Sequence, residues 1–152
     1  MLNAEQLDLL QSLRQHNVRF LVVGLSSAVL QGATVTTQDV DLWIEDLSAP
    51  EFSAAVQAVG GFYIAPGLVG TNPPMLGPQK FRLFDLVTHL HGLGAFDDEY
   101  THSSEILLSG VSLRLLPLER IIASKKAAGR DKDKAVLPIL ESTAAALRRT
   151  RG

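Results

Sequence analysis

The sequence predicts an α+β fold, sandwich-like, with strands and helices interleaved early in the chain and helices closing its C-terminal end. Three observations predict it. A short apolar run, Phe20 to Val23, stops at Gly24, as a buried strand does where the chain must turn sharply. Asp39-Val40-Asp41-Leu42-Trp43-Ile44 alternates with period two, placing Asp39 and Asp41 on one face and Val40, Leu42 and Ile44 on the core face. From Pro117 onward the apolar residues recur at helical spacing.

Taken in order, Asn3 is placed to cap a helix running to about Gln15, with Leu7, Leu10 and Leu13 on one side. The Phe20 strand follows, then about two helical turns from Ser26 to Gln31, stopped by Gly32. Thr34 to Thr37 suits an extended lead-in to the second strand. Pro50 opens a helix over Glu51 to Val59, with Phe52, Ala55, Val56 and Val59 as its packing stripe and Gly60-Gly61 as its stop. Phe62 to Ala65 predicts a short strand. Pro66 to Gln79 is dense in Gly and Pro and predicts an irregular loop, either disordered or, as the acid on the next element favours, at the rim of a site. Lys80 to Leu90 predicts a long strand, central in its sheet because both of its faces are largely apolar. Phe96 to Tyr100 is an acidic turn or short helix, read as a solvated face. Ile106 to Leu108 and Val111 to Leu115, joined by Ser109-Gly110, predict a hairpin. Leu118, Ile121 and Ile122 stripe a helix that ends at Gly129. Arg130 to Asp133 reads as a charged bend before a last helix starting near Leu137.

Composition excludes several function classes. The formal charge of −2 gives no bulk attraction to nucleic acid or an anionic membrane. There is no cysteine, so disulfide and thiolate chemistry are out. The first fifteen residues carry acids and no basic stretch followed by an apolar core, so a signal peptide is not expected. No apolar run reaches the roughly 20 residues of a membrane span. The expectation is a single domain over residues 1–152, without a membrane partner, in the cytoplasm.

The chemistry-bearing residues are acids. Cβ atoms at i and i+2 on a strand face lie about 6–7 Å apart, and two carboxylates that close repel unless a cation sits between them, a task that suits Mg²⁺. Asp85 falls on the Phe81, Leu83, Val87 face of its strand, where a carboxylate is costly unless paired or metal-bound. His89 and His91 also alternate, but no Cys or third spaced His completes a zinc set.

With Gly24, the DVDLW strand about fifteen residues later, Asp85 on its own strand and LERIIASKKAAGRDKD near the C-terminus, the chain resembles the nucleotidyltransferase superfamily, the polymerase-β-like fold. It looks most similar to small bacterial members related to AbiEii-type toxins of toxin–antitoxin systems. The resemblance implies a mixed central sheet flanked by helices. It implies catalysis by Asp39, Asp41 and Asp85 holding two Mg²⁺, with Asp85 helping to draw the acceptor proton. It implies nucleotide binding by the Gly24 turn, by the hydroxyls of Ser26 or Ser27, and by Lys125 or Lys126, Arg130 and Asp133. The reaction so implied moves a nucleoside monophosphate from an NTP to a hydroxyl of RNA, protein or a small molecule, with an antitoxin protein as a further partner. The chain departs from the pattern at Leu25 after the glycine, at Gln31 where relatives often carry His, and at Val35 where they often carry a basic residue. These departures bear on phosphate binding and keep a second reading open: a catalytically degenerate nucleotide- or partner-binding domain of the same fold. A third has the acids merely solvated.

Overall fold

The alternating segment Val40–Ile44 lies second from one edge of a five-stranded sheet, between the strand that ends at Gly24 and the strand that carries Asp85. The computed structural model describes residues 2–151. Its elements run α1 (Ala4–Gln15), β1 (Phe20–Val23), α2 (Gly24–Leu30), β2 (Val40–Ile44), α3 (Pro50–Gln57), β3 (Phe62–Ile64), β4 (Met75–Gly77), β5 (Phe84–Val87), α4 (Phe96–Thr101), β6 (Ser104–Leu108), β7 (Val111–Leu115), α5 (Leu118–Ala128) and α6 (Asp131–Arg151), with one 3₁₀ turn at Gln79–Phe81. The large sheet has the order β5-β2-β1-β7-β6, and β3 and β4 form a separate pair. β1 runs antiparallel to β2 and parallel to β7, while β2 runs parallel to β5, so the sheet is mixed.

Strand periodicity divides the core. Phe20, Val22, Val40, Leu42, Ile44, Phe84 and Leu86 face α1 and α3, packing on Leu9, Leu10, Leu13, Phe52 and Val56. Leu21 and Val23 face the other way, onto Ala28 of α2, Leu118 and Ile121 of α5, and Leu140 and Ala144 of α6. Asp41 alternates with Leu42, and Asp85 with Leu86, so both carboxylates emerge on the α2/α5/α6 side. Asn3 caps α1 with a full capping box, its side chain accepting from the Gln6 amide at 2.9 Å while Gln6 Oε1 accepts from the Asn3 amide at 2.9 Å.

Several expectations are corrected. The strand predicted over Lys80 to Leu90 is only Phe84–Val87, because residues 79–81 coil into the 3₁₀ turn. It is an edge strand, not a central one, and Asp85 on it is exposed. The Gly/Pro segment contains β4 and, with β3, forms the small sheet; its exposed Leu68 and Val69 do not line the cavity described below. The last helix starts at Asp131, not near Leu137, leaving Pro138 inside it on the exposed side, where water can reach the backbone carbonyl that the imide cannot serve. The charged bend is thereby the first turn of α6. The acidic Phe96–Thr101 segment is a helix, and its Glu99 is buried rather than solvated. Among the described residues no helix is long and apolar enough to cross a membrane.

Candidate functional site

β1 ends at Val23, and the chain turns directly into α2 at Gly24, whose φ is +62°. A side chain there would be strained by that φ and would overlap the carboxylate of Asp41 (Oδ2), the residue opposite Val23 in the β1–β2 ladder. Glycine thus allows the turn and the acid to share one place. Leu25 does not block it: with Val35 and Trp43 it packs against the second core. Ser26 locks the corner from beneath. Its hydroxyl donates to Val23 O at 2.8 Å and accepts the Asp41 amide at 3.0 Å.

Asp41 pairs with Asp85 in the parallel β2–β5 ladder, which puts the two carboxylates side by side on one face. Asp39 lies just before β2 and is exposed. Burial, then the neighbouring Asp85 charge, push the Asp41 carboxyl up to about 6 against 3.8 normally, although Lys125 and Lys132 pull it down. Asp85 is also raised, by partial burial first and then by the charge of Asp39 and a carboxyl–carboxyl hydrogen bond to it. The predicted gathering of three acids is therefore an open row along one sheet edge. Among the described residues no three His, Cys, Asp or Glu side chains cluster tightly enough to cage a metal ion. The donor set still fits a hard cation. Mg²⁺ is ordinarily held by one or two carboxylates and keeps its other positions for water and substrate phosphate, and Asp41 makes no ion pair among the described residues.

Beside Asp41 opens a cavity of about 340 Å³, walled on one side by Gly24 and on the other by Lys125, Arg130 and Lys132. Lys125 comes from α5; Arg130 and Lys132 come from the start of α6. Asp133 organises this wall from behind. It is fully buried, accepts Arg130 Nε at 2.6 Å and Nη2 at 3.1 Å, lies 3.3 Å from Lys125 Nζ, and accepts the Arg130 amide at 3.2 Å, which caps α6. The Arg130 guanidinium, with Lys125 and the amide, holds the Asp133 carboxyl down at about 2.

Set against the sequence reading, the structure brings Gly24, Asp41, Lys125 and Arg130 to one cavity, with Asp39 and Asp85 along the strand edge outside it. Lys126 points elsewhere and pairs with Glu141 at 3.1 Å. Asp133 contacts the cations rather than the cavity. Ser26 and Ser27, expected at the phosphates, do not line the cavity: both are fully buried, and the Ser27 hydroxyl donates to Leu116 O at 2.8 Å. Gln31 donates to the same Leu116 carbonyl at 2.9 Å. Sequence reasoning missed Lys132, Ser124 and the His89–His91 loop as cavity walls.

No family model matches the chain, and no curated protein matches it in sequence. Its fold is nonetheless that of solved nucleotidyltransferases. A crystal structure of ANT(2'')-Ia in complex with adenylyl-2''-tobramycin superposes with a TM-score of 0.55 at 17% identity, covering 95% of each chain. The solution structure of the antibiotic-resistance factor ANT(2'')-Ia superposes with a TM-score of 0.50 at 16% identity, covering 95% of this chain and 93% of that one. At such identities the likeness is one of fold.

Proposed function

We propose that this protein is a nucleotidyltransferase that moves a nucleoside monophosphate from an NTP to a hydroxyl of a small molecule. The observation that carries the reading is Asp41: a carboxylate set against a glycine turn, laddered to a second carboxylate and facing a wall of three cations across a cavity. Lys125, Arg130 and Lys132 have the charge to bind a triphosphate and to hold pyrophosphate as it leaves. Asp41 and Asp85, with Asp39 at hand, are the oxygen donors for Mg²⁺, which when bound offsets charge building on the phosphate oxygens.

In the transfer, the acceptor oxygen bonds to the α-phosphorus and the bond to the β-phosphate oxygen breaks. Asp85, exposed at the sheet edge beside Asp41, is the carboxylate we assign to take the acceptor's proton. A small-molecule acceptor is favoured because ANT(2'')-Ia, of like fold and length, was solved with an adenylylated antibiotic, and because a net charge of −2 offers RNA no general attraction. The open carboxylate row favours a second reading, nucleotide binding without transfer.

The test is label transfer from α-labelled ATP with Mg²⁺ to three acceptor pools: hydroxylated small molecules, RNA and protein. Transfer to the first pool, lost in Asp41→Asn, supports the proposal. Label on RNA or protein assigns a toxin-like target instead. Binding of MgATP without transfer to any pool supports the second reading, and absence of Mg²⁺-dependent ATP binding in calorimetry overturns both.

A further inference from the structure

The cavity has a wall that the phosphate chemistry does not use. After β5 the chain runs through His89, Leu90 and His91, and all three line the cavity that contains Asp41. The two imidazoles are exposed and stand edge to face, with ring centroids 5.1 Å apart and planes at 83°. The loop bearing them is pinned. Leu90 and Leu93 pack into the second core. Gly92, at φ +72°, lies so close to α5 that a Cβ there would come within 2.6 Å of Ala127 Cβ. The Gly94 amide donates to Glu99 Oε2 at 2.9 Å, and buried Glu99 is gripped by Arg120 of α5 at 2.6 and 2.9 Å. The imidazoles are thus presented on a fixed support.

The two walls differ in kind. The α5–α6 side offers cations. The β5 side offers two ring systems set edge to face with each other, with apolar Val87 and Leu90 beside them. A planar aromatic group suits that surface, since rings stack offset or edge to face. Resting on the nucleotidyltransferase reading, we propose that His89 and His91 form the nucleobase-binding wall, selecting a nucleotide over a bare polyphosphate. A metal role for the pair lacks a third ligand among the described residues.

Calorimetry on the full chain in Mg²⁺ tests this with two probes, ATP and inorganic tripolyphosphate, which carries the charge but no base. The His89→Ala/His91→Ala variant is expected to weaken ATP binding about tenfold and leave tripolyphosphate binding unchanged, as loss of a stacking partner requires. The His89→Phe/His91→Phe variant, which keeps the rings and removes their nitrogens, is expected to restore most of the affinity. Equal weakening of both probes, or no change for ATP, overturns the proposal while leaving the transferase reading intact. A kcat that falls with KM unchanged, together with a displaced pH–rate profile, also overturns it, because that result assigns proton transfer to the imidazoles. If the unmodified protein binds neither probe, the transferase reading falls and this inference falls with it.

Discussion

Asp41 and Glu99 are two withdrawn carboxylates on the same face of the sheet, treated in opposite ways. Glu99 receives a two-pronged Arg120 and the Gly94 amide, and the Arg120 hydrogen bond leads in holding its carboxyl below the usual range. Asp41 receives another carboxylate as its ladder partner, and burial pushes it up to about 6. Protein folding alone accounts for Glu99, because a charge-assisted fork stabilises the fold and ties α4 to α5. It does not account for Asp41, which costs the fold stability while sitting at a cavity full of cations. A group kept at such a cost is where ligand binding is expected.

The sharpest way to break this contrast is to remove each charge in turn. Asp41→Asn is expected to lower nucleotidyl transfer by roughly 10²–10³-fold, the scale for losing one preorganised electrostatic contact. The same change is expected to raise stability at neutral pH. With the folded pKa near 6 and the unfolded one near 3.8, the native state binds more protons between them. Stability therefore falls as pH rises through that window, and the penalty is complete above about pH 6. A shift of about two units is at most ~3 kcal/mol at 1.36 kcal/mol per unit, and partial exposure discounts it to about 1–2. Urea melts of the parent and the variant at pH 4 and pH 7 measure it: the two curves should diverge only at the higher pH, and added Mg²⁺ should narrow the gap by stabilising the parent alone. A variant less stable than the parent at pH 7 would show that Asp41 is satisfied in the fold.

Glu99→Gln is expected to do the reverse. Its contribution is present above the unfolded carboxyl range and lost as pH falls through the lowered folded value, so the variant should be less stable at pH 7 and converge with the parent in acid. Losing a charged hydrogen-bond acceptor costs about 1.5–3 kcal/mol. Because Glu99 also holds the Gly94 amide, ATP affinity should fall with it while tripolyphosphate affinity should not.

This contrast explains what the sequence could and could not reveal. Period-two alternation correctly placed Asp41, Leu42 and their faces, and Gly24 was legible because only a glycine meets both a positive φ and a carboxylate at contact. The sequence pattern puts the cost of a buried acid on Asp85, since a strand apolar on both faces reads as central; β5 is at the edge, so the larger part of that cost falls on Asp41. Nothing local marks an edge strand, because strand order is settled by long-range pairing. Glu99 was hidden for the same reason: its partner Arg120 lies 21 residues away on another helix. Ser26 and Ser27 sit where phosphate-binding hydroxyls are expected by chain position, yet their hydroxyls donate to the Val23 and Leu116 carbonyls inside the fold.

The smallest effect separates the adjacent lysines. Both lie in the last turn of α5, and their spacing alone does not distinguish them. Lys125 is largely buried, faces Asp41 across the cavity and lies 3.3 Å from Asp133, whereas Lys126 is exposed beside Glu141. An exposed pair of that kind is worth about 0–1 kcal/mol, so Lys126→Ala should change neither stability nor nucleotide affinity measurably. Lys125→Met keeps the apolar stem and removes the charge. It is expected to weaken MgATP and tripolyphosphate alike by roughly tenfold, in line with one charged hydrogen bond to phosphate. It should also raise the Asp41 pKa further, since Lys125 now opposes the effects of burial and Asp85. Carboxyl titration by NMR reads that shift directly. An unmoved Asp41 resonance, with ATP affinity intact, would mean that Lys125 serves Asp133 and the α5–α6 corner alone.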